Sequence, residues 1–118
     1  MIAAVRERPP DASIDGVFRA LSDPTRRQVL ERLGRSPASV SELAEPFDMA
    51  LPSFMQHLKV LESTGLVRSD KQGRTRTYEL EPGQLGIAEG WLAEQRSLWE
   101  RRLDRLDEFL ITIKEQES

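Results

Sequence analysis

Apolar positions along the chain change period twice, from helical spacing to alternation and back, and stops and caps divide the rest into elements. Ile14, Val17, Phe18 and Leu21 recur at helical spacing, with Ser13 as the expected N-cap and a stop at Ser22. Asp23 is expected to cap a second helix, with Pro24 at its first position, where a missing N–H costs nothing. Val29, Leu30 and Leu33 are its expected buried face, and Gly34 its end. Ser36 to Val40 reads as a linker with room for a short strand.

The stretch from Ser41 to Thr64 reads as two short helices joined by a bend. Ser41 is the expected N-cap of the first, Leu43, Ala44 and Phe47 form its apolar face, and Pro46 limits its length. Asp48 begins the bend. The second helix runs from Leu51 to Thr64, with Pro52 in its first turn and Gly65 as a left-handed stop. Leu51, Phe54, Leu58 and Leu61 are expected to face the core. Ser53, Gln56, His57 and Lys59 fall on or beside the opposite face. Two such helices form a helix-turn-helix whose second member fits a DNA major groove. Taken alone, the stretch fits an ordinary helical hairpin with a solvated face equally well.

After Gly65 the period becomes two. Residues 66–71 and 74–80 read as strands joined by a tight turn at Gln72-Gly73. A hairpin directly after a recognition-type helix is a wing, and Lys71 and Arg74 at its tip suit phosphate or minor-groove contact. A capping hairpin with a charged tip is the plainer alternative.

Pro82-Gly83 reads as a break, followed by a long helix from Leu85 or Ile87 to Lys114. Ala88, Leu92, Gln95, Trp99, Leu103, Leu106, Leu110 and Ile113 form one stripe, widened by Trp91, Leu98 and Phe109. Such a stripe is too long for a domain this small to cover, and a helix packed wholly within one chain is the plainer alternative. The expected use of the stripe is core at one end and a subunit contact through Trp91, Leu92, Trp99, Leu103, Leu106 and Leu110 over the rest.

Charge sharpens the division. The chain has 118 residues and a net charge of -3, which argues against a generally basic nucleic-acid coat. Between Leu51 and Leu80 there are five Lys/Arg against three Asp/Glu, and from Leu85 onward five against eight. A basic middle and an acidic tail fit a DNA face and a separate non-DNA face. There is no cysteine, hence no disulfide or thiolate metal site, which suits a cytoplasmic protein. No apolar run approaches the roughly 20 residues of a membrane span, and the N-terminus has no signal-peptide core. Residues 1–12, with Arg6, Arg8 and Pro9-Pro10, are expected to be a flexible arm, and 13–118 one domain. The fold class expected is mainly α with a small β-hairpin: a winged helix-turn-helix with a long C-terminal dimerisation helix.

The segments LSDPTRRQVLERL (Leu21 to Leu33), SELAEPF, QHLKVLESTGLV (Gln56 to Val67) and GRTRTYEL (Gly73 to Leu80) resemble, in order and spacing, the ArsR/SmtB family of bacterial winged helix-turn-helix regulators. The resemblance covers about Val17 to Leu110. It implies a homodimer on double-stranded operator DNA, usually a repressor, dimerised through its first and last helices. It also implies that Ser53, Gln56, His57 and Lys59 lie on or near the reading helix, with Lys71, Arg74 and Arg76 in the wing.

Two departures stand out. Ala50 and Leu51 occupy positions where family members often carry Ser and another polar residue, and Met55 replaces a second Ser. Metal-sensing relatives use cysteine pairs or Asp/His/Glu sets, whereas this chain has no cysteine and one histidine, His57. No metal or other cofactor is therefore expected, and an effector would be a small organic molecule or a protein. Catalysis is not expected either, because His57 has no evident Ser or Asp partner and the glycines form no phosphate-cradling loop. The competing reading from another class is a protein-interaction module that uses the same scaffold without reading DNA.

Overall fold

The computed structural model describes residues 12–117; the expected arm, Ala12 apart, lies outside them. In chain order the elements are α1 (Ile14–Leu21), α2 (Pro24–Leu33), β1 (Ala38–Ser39), α3 (Val40–Ala44), α4 (Leu51–Ser63), β2 (Val67–Gln72), β3 (Thr75–Leu80) and α5 (Pro82–Glu117). The chain divides into two compact units, one running to Ala88 and the other beginning at Glu89.

The first unit holds the core. Ser13 caps α1 by accepting from the Gly16 N–H at 3.0 Å, and Asp23 caps α2 by accepting from the Arg26 N–H at 3.1 Å. Helix α3 starts earlier than expected. Its cap is Ser39, not Ser41: Ser39 Oγ accepts from the Glu42 N–H, and the Glu42 carboxylate accepts from the Ser39 N–H, both at 3.2 Å. This reciprocal box needs Glu three residues after the cap, a spacing that Ser39 satisfies and Ser41 does not. The Ser39 backbone N–H, followed by its side chain, holds the Glu42 carboxyl below its ordinary range.

Val17, Val29, Leu43, Phe54, Leu58, Leu61 and Leu66 are fully buried and join the four helices to the sheet. The Phe47 and Phe54 rings, with centroids 5.4 Å apart, tie the turn after α3 to α4. Each such ring contact adds about 0.5–1.5 kcal/mol beyond area burial. Leu51, expected in this core, is instead 55% exposed. It is the first residue of α4, and helical side chains lean toward the N-terminus, so this one projects past the end of the packed face.

The sheet is antiparallel with strand order β1-β3-β2. The expected hairpin is present, and the short strand allowed for in the linker pairs with it, Ala38 opposite Tyr78 and Ser39 opposite Thr77. The turn falls one residue later than expected. Gln72 pairs with Thr75, which leaves Gly73-Arg74 as the two-residue loop, and Gly73 has φ 63°. Glycine with positive φ at the first loop position is the type II′ pattern that matches strand twist.

Helix α5 also begins earlier than expected, at Pro82 rather than Leu85. Proline is tolerated in a first turn, so Pro82-Gly83 opens the helix instead of preceding it. Of its residues Ala88 is buried in the core of the first unit. Considered by itself, the part from Glu89 onward leaves Trp91, Leu92, Trp99, Leu103, Leu106 and Leu110 exposed, Trp99 to 69%. No helix among the described residues is long and apolar enough to cross a membrane.

Candidate nucleic-acid interface

Helix α4 is set by contrasting ends. At its start Ala50 is the cap residue, and its side chain makes no capping hydrogen bond. At its close the Leu66 N–H donates to Leu61 O and the Gly65 N–H to Glu62 O, both at 3.1 Å, with Gly65 at φ 80°. This is a Schellman motif, and its apolar pair, Leu61 with Leu66, belongs to the core. The strong end anchors the helix and turns the chain directly into β2.

Phe54, Leu58 and Leu61 hold α4 against the core, so the residues between them face outward. Ser53, Gln56 and Lys59 are exposed, as the periodicity predicts. His57 is not on this open face. Its side chain is 23% exposed and its Nδ1 lies 3.1 Å from Arg26 Nη1 and 3.7 Å from Asp23 Oδ2. The expectation that His57 lacks an acidic partner is thus corrected. Residues 34 positions apart in sequence meet because α2 packs on α4, and no local spacing signals it.

Arg26 is the hub of this cluster. Its Nε donates to Ala20 O at 2.8 Å and its Nη2 to Arg19 O at 3.0 Å, which satisfies the carbonyls at the end of α1. Burial pushes the Asp23 carboxyl up. The Arg26 N–H and the positive fields of His57 and Arg26 outweigh it and hold the group below its ordinary value. Arg27 donates to Leu21 O at 2.7 Å, and Arg32 to Ser36 O at 3.0 Å. The three arginines of α2 thus brace turns.

The wing sorts its cations. Arg68 is held by Glu79 across the hairpin and by Glu81 at 3.1 Å. The Glu79 hydrogen bond and charge, then Glu81, keep its guanidinium more firmly protonated than usual. Arg76 Nη1 donates to Ser69 Oγ at 2.8 Å, and Ser69 donates in turn to the Glu62 carboxylate at 2.9 Å. Because Glu62 belongs to α4, this chain of contacts fixes the hairpin against that helix. Burial, then the Glu62 charge, pushes the adjacent Tyr78 hydroxyl up. Lys71 and Arg74 at the tip are exposed and enter no ion pair among the described residues. Sequence reasoning missed the contacts of Asp23 and Arg26 with His57, and Glu62 and Ser69 as the link between helix and wing. Among the described residues no three His, Asp or Glu side chains gather as a metal site.

An exposed polar helix face beside a cationic hairpin tip is an arrangement with known counterparts. Residues 21–70 match a helix-turn-helix domain family. A crystal structure of an ArsR family transcriptional regulator superposes with TM-score 0.71 at 60% identity, over 74% of this chain and 90% of that one. The chain belongs to the ArsR/SmtB family. An ArsR-like regulator from Rhodococcus gives TM-score 0.69 at 34% identity, over 81% and 91% of the two chains. The transcriptional repressor SdpR of Bacillus subtilis is 30% identical over 67% of this chain and 88% of its own. The regulator Rv2034 of Mycobacterium tuberculosis is 43% identical over 59% of this chain, and the match spans 65% of its length. Members of the ArsR/SmtB family are transcriptional regulators and not enzymes. They bind operator DNA and typically act as dimers.

Proposed function

We propose that the protein is a homodimeric, sequence-specific DNA-binding regulator that represses its own or a neighbouring operon in the cytoplasm. The observation that carries this reading is one surface. Ser53, Gln56 and Lys59 of α4 stand exposed, and the neighbouring hairpin presents Lys71 and Arg74. Gln56 suits bidentate pairing with adenine, and Ser53 suits either base type. The tip cations suit phosphate, which orients the protein without reading sequence. Arg76 joins them through its charge, and His57 acts by holding α4 on α2.

The dimer rests on α5. Eight large apolar residues remain exposed along it from Trp91 to Leu110, Leu98 and Phe109 among them. Patches of that extent on soluble proteins mark interaction surfaces. The same stripe favours the second reading, a scaffold that assembles proteins without reading DNA. An effector, if one acts, is an organic molecule or a protein, because the chain lacks cysteine and has one histidine.

The experiment is a footprint on the DNA upstream of the protein's own gene, paired with a salt titration on unrelated duplex. A protected, imperfectly palindromic site and an affinity that falls steeply with salt are expected. Absence of binding to any duplex at low salt would leave the assembly reading.

A further inference from the structure

Leu51 is out of place for the first turn of a helix that reads a polar groove. It is 55% exposed, and Ala50 before it and Pro52 after it are exposed too. None of the three side chains carries a donor or an acceptor. Met55, one turn on and on the same flank as Leu51, is half-buried and packs partly on the core. The leading end of α4 thus presents carbon, while Ser53 and Gln56 behind it present polar groups.

A recognition helix enters the major groove with its N-terminal residues against base edges. Hydrogen-bond donors and acceptors line that groove, and one apolar group stands among them, the C5-methyl of thymine. An apolar side chain laid against any other base edge strips water from a polar atom and returns nothing. Lys71 and Arg74, exposed at the hairpin tip, match the phosphates of a duplex rather than an apolar protein partner. We infer that Leu51, with Ala50 beside it, is a specificity-determining contact for a thymine methyl in each half of the operator. This rests on the DNA-binding reading above and adds the base that the apolar end of α4 selects.

The test uses the full chain. Binding sequences are selected from a random duplex pool. Each thymine of the selected site is then replaced by deoxyuridine, which removes the methyl and leaves base pairing intact. One buried methyl-sized group corresponds to about fourfold in affinity. Deoxyuridine at one position per half-site should therefore weaken wild-type binding by about fourfold, and by about fifteenfold when both halves are changed. Leu51→Ala, at an exposed position, should bind thymine and uracil sites equally. Wild-type indifference to uracil at every position overturns the inference and leaves DNA binding standing. So does a Leu51→Ala protein that keeps full sensitivity, or one that loses self-association instead. A pool that enriches no sequence overturns both readings together.

Discussion

Arg26 Nη1 and His57 Nδ1 lie 3.1 Å apart, joining the start of α2 to the middle of the reading helix. A guanidinium offers only donors, so this contact is a hydrogen bond wherever the imidazole Nδ1 presents its lone pair. The histidine is a brace between the two helices, and the guanidinium also donates to two carbonyls of α1. One side chain thereby ties three helices together.

Removing either partner should cost stability, but unequally. Hydrogen bonds to charged groups contribute about 1.5–3 kcal/mol each at most, less where water reaches them. Arg26→Ala loses contacts to Ala20, Arg19 and His57 and should cost roughly 2–3 kcal/mol. His57→Ala loses one and should cost about 1 kcal/mol. Urea denaturation of both variants checks the order; equal losses would mean that Arg26 is not the hub.

Asp23 ties the same cluster to acid sensitivity. Its folded value lies below the ordinary 3.8. A depressed carboxyl contributes stability that is fully present above the unfolded value and is lost as pH falls through the folded one. Asp23→Asn keeps a capping oxygen and removes the charge. The wild type should be the more stable at pH 6, and the gap should close below pH 3.8. A gap of constant size across melts at stepped pH would assign the effect to packing instead.

On DNA the two kinds of contact should separate. Gln56→Ala should lose roughly 1–3 kcal/mol on the operator and much less on random duplex. Arg74→Ala should weaken both alike and flatten the salt dependence by about one unit of slope. Arg68→Ala, whose guanidinium is already held by two carboxylates, should change the slope little. Fluorescence anisotropy at several salt concentrations gives all three. A sequence-selective loss for Arg74→Ala would mean that the wing reads bases or groove width.

Self-association should depend on the terminal helix. Truncating a buried leucine typically costs about 2–5 kcal/mol. Leu103→Ala with Leu106→Ala should therefore shift sedimentation toward monomer at micromolar protein. A wild type that already sediments as a monomer there would remove the dimer from the proposed function.

The elements were legible because periodicity, caps and glycine stops agree locally. Ser13, Asp23 and Gly65 signal their roles within four residues of sequence. What failed was register and long-range pairing. Placing the turn at Gln72-Gly73 sets Arg68 opposite Thr77, whereas the observed loop one residue later sets it opposite Glu79. One step therefore decides whether Arg68 is a free cation or a neutralised one. The apolar pattern points to Ser41 as the cap, whereas the capping box, Ser39 with Glu42, begins two residues earlier. Leu51 matches the core spacing, and spacing alone does not show that the first residue of a helix overhangs its packed face. The His57 cluster joins parts of the chain that share no local pattern.

Strand β1 pairs with Thr77 and Tyr78 and goes no further. The hairpin is thus three strands wide at its base and two at its tip, where Lys71 and Arg74 sit. Two-stranded ribbons are marginal in water. The tip should open locally far more often than the base, with amides at Gln72 and Thr75 exchanging well before that of Tyr78. Amide exchange by NMR measures this, and uniform protection along β3 would contradict it. The charge proposed to meet phosphate is thereby carried on the part of the sheet expected to open first. Binding must spend part of its electrostatic gain on ordering that ribbon, which limits affinity for arbitrary duplex and leaves discrimination to the rigid helix beside it.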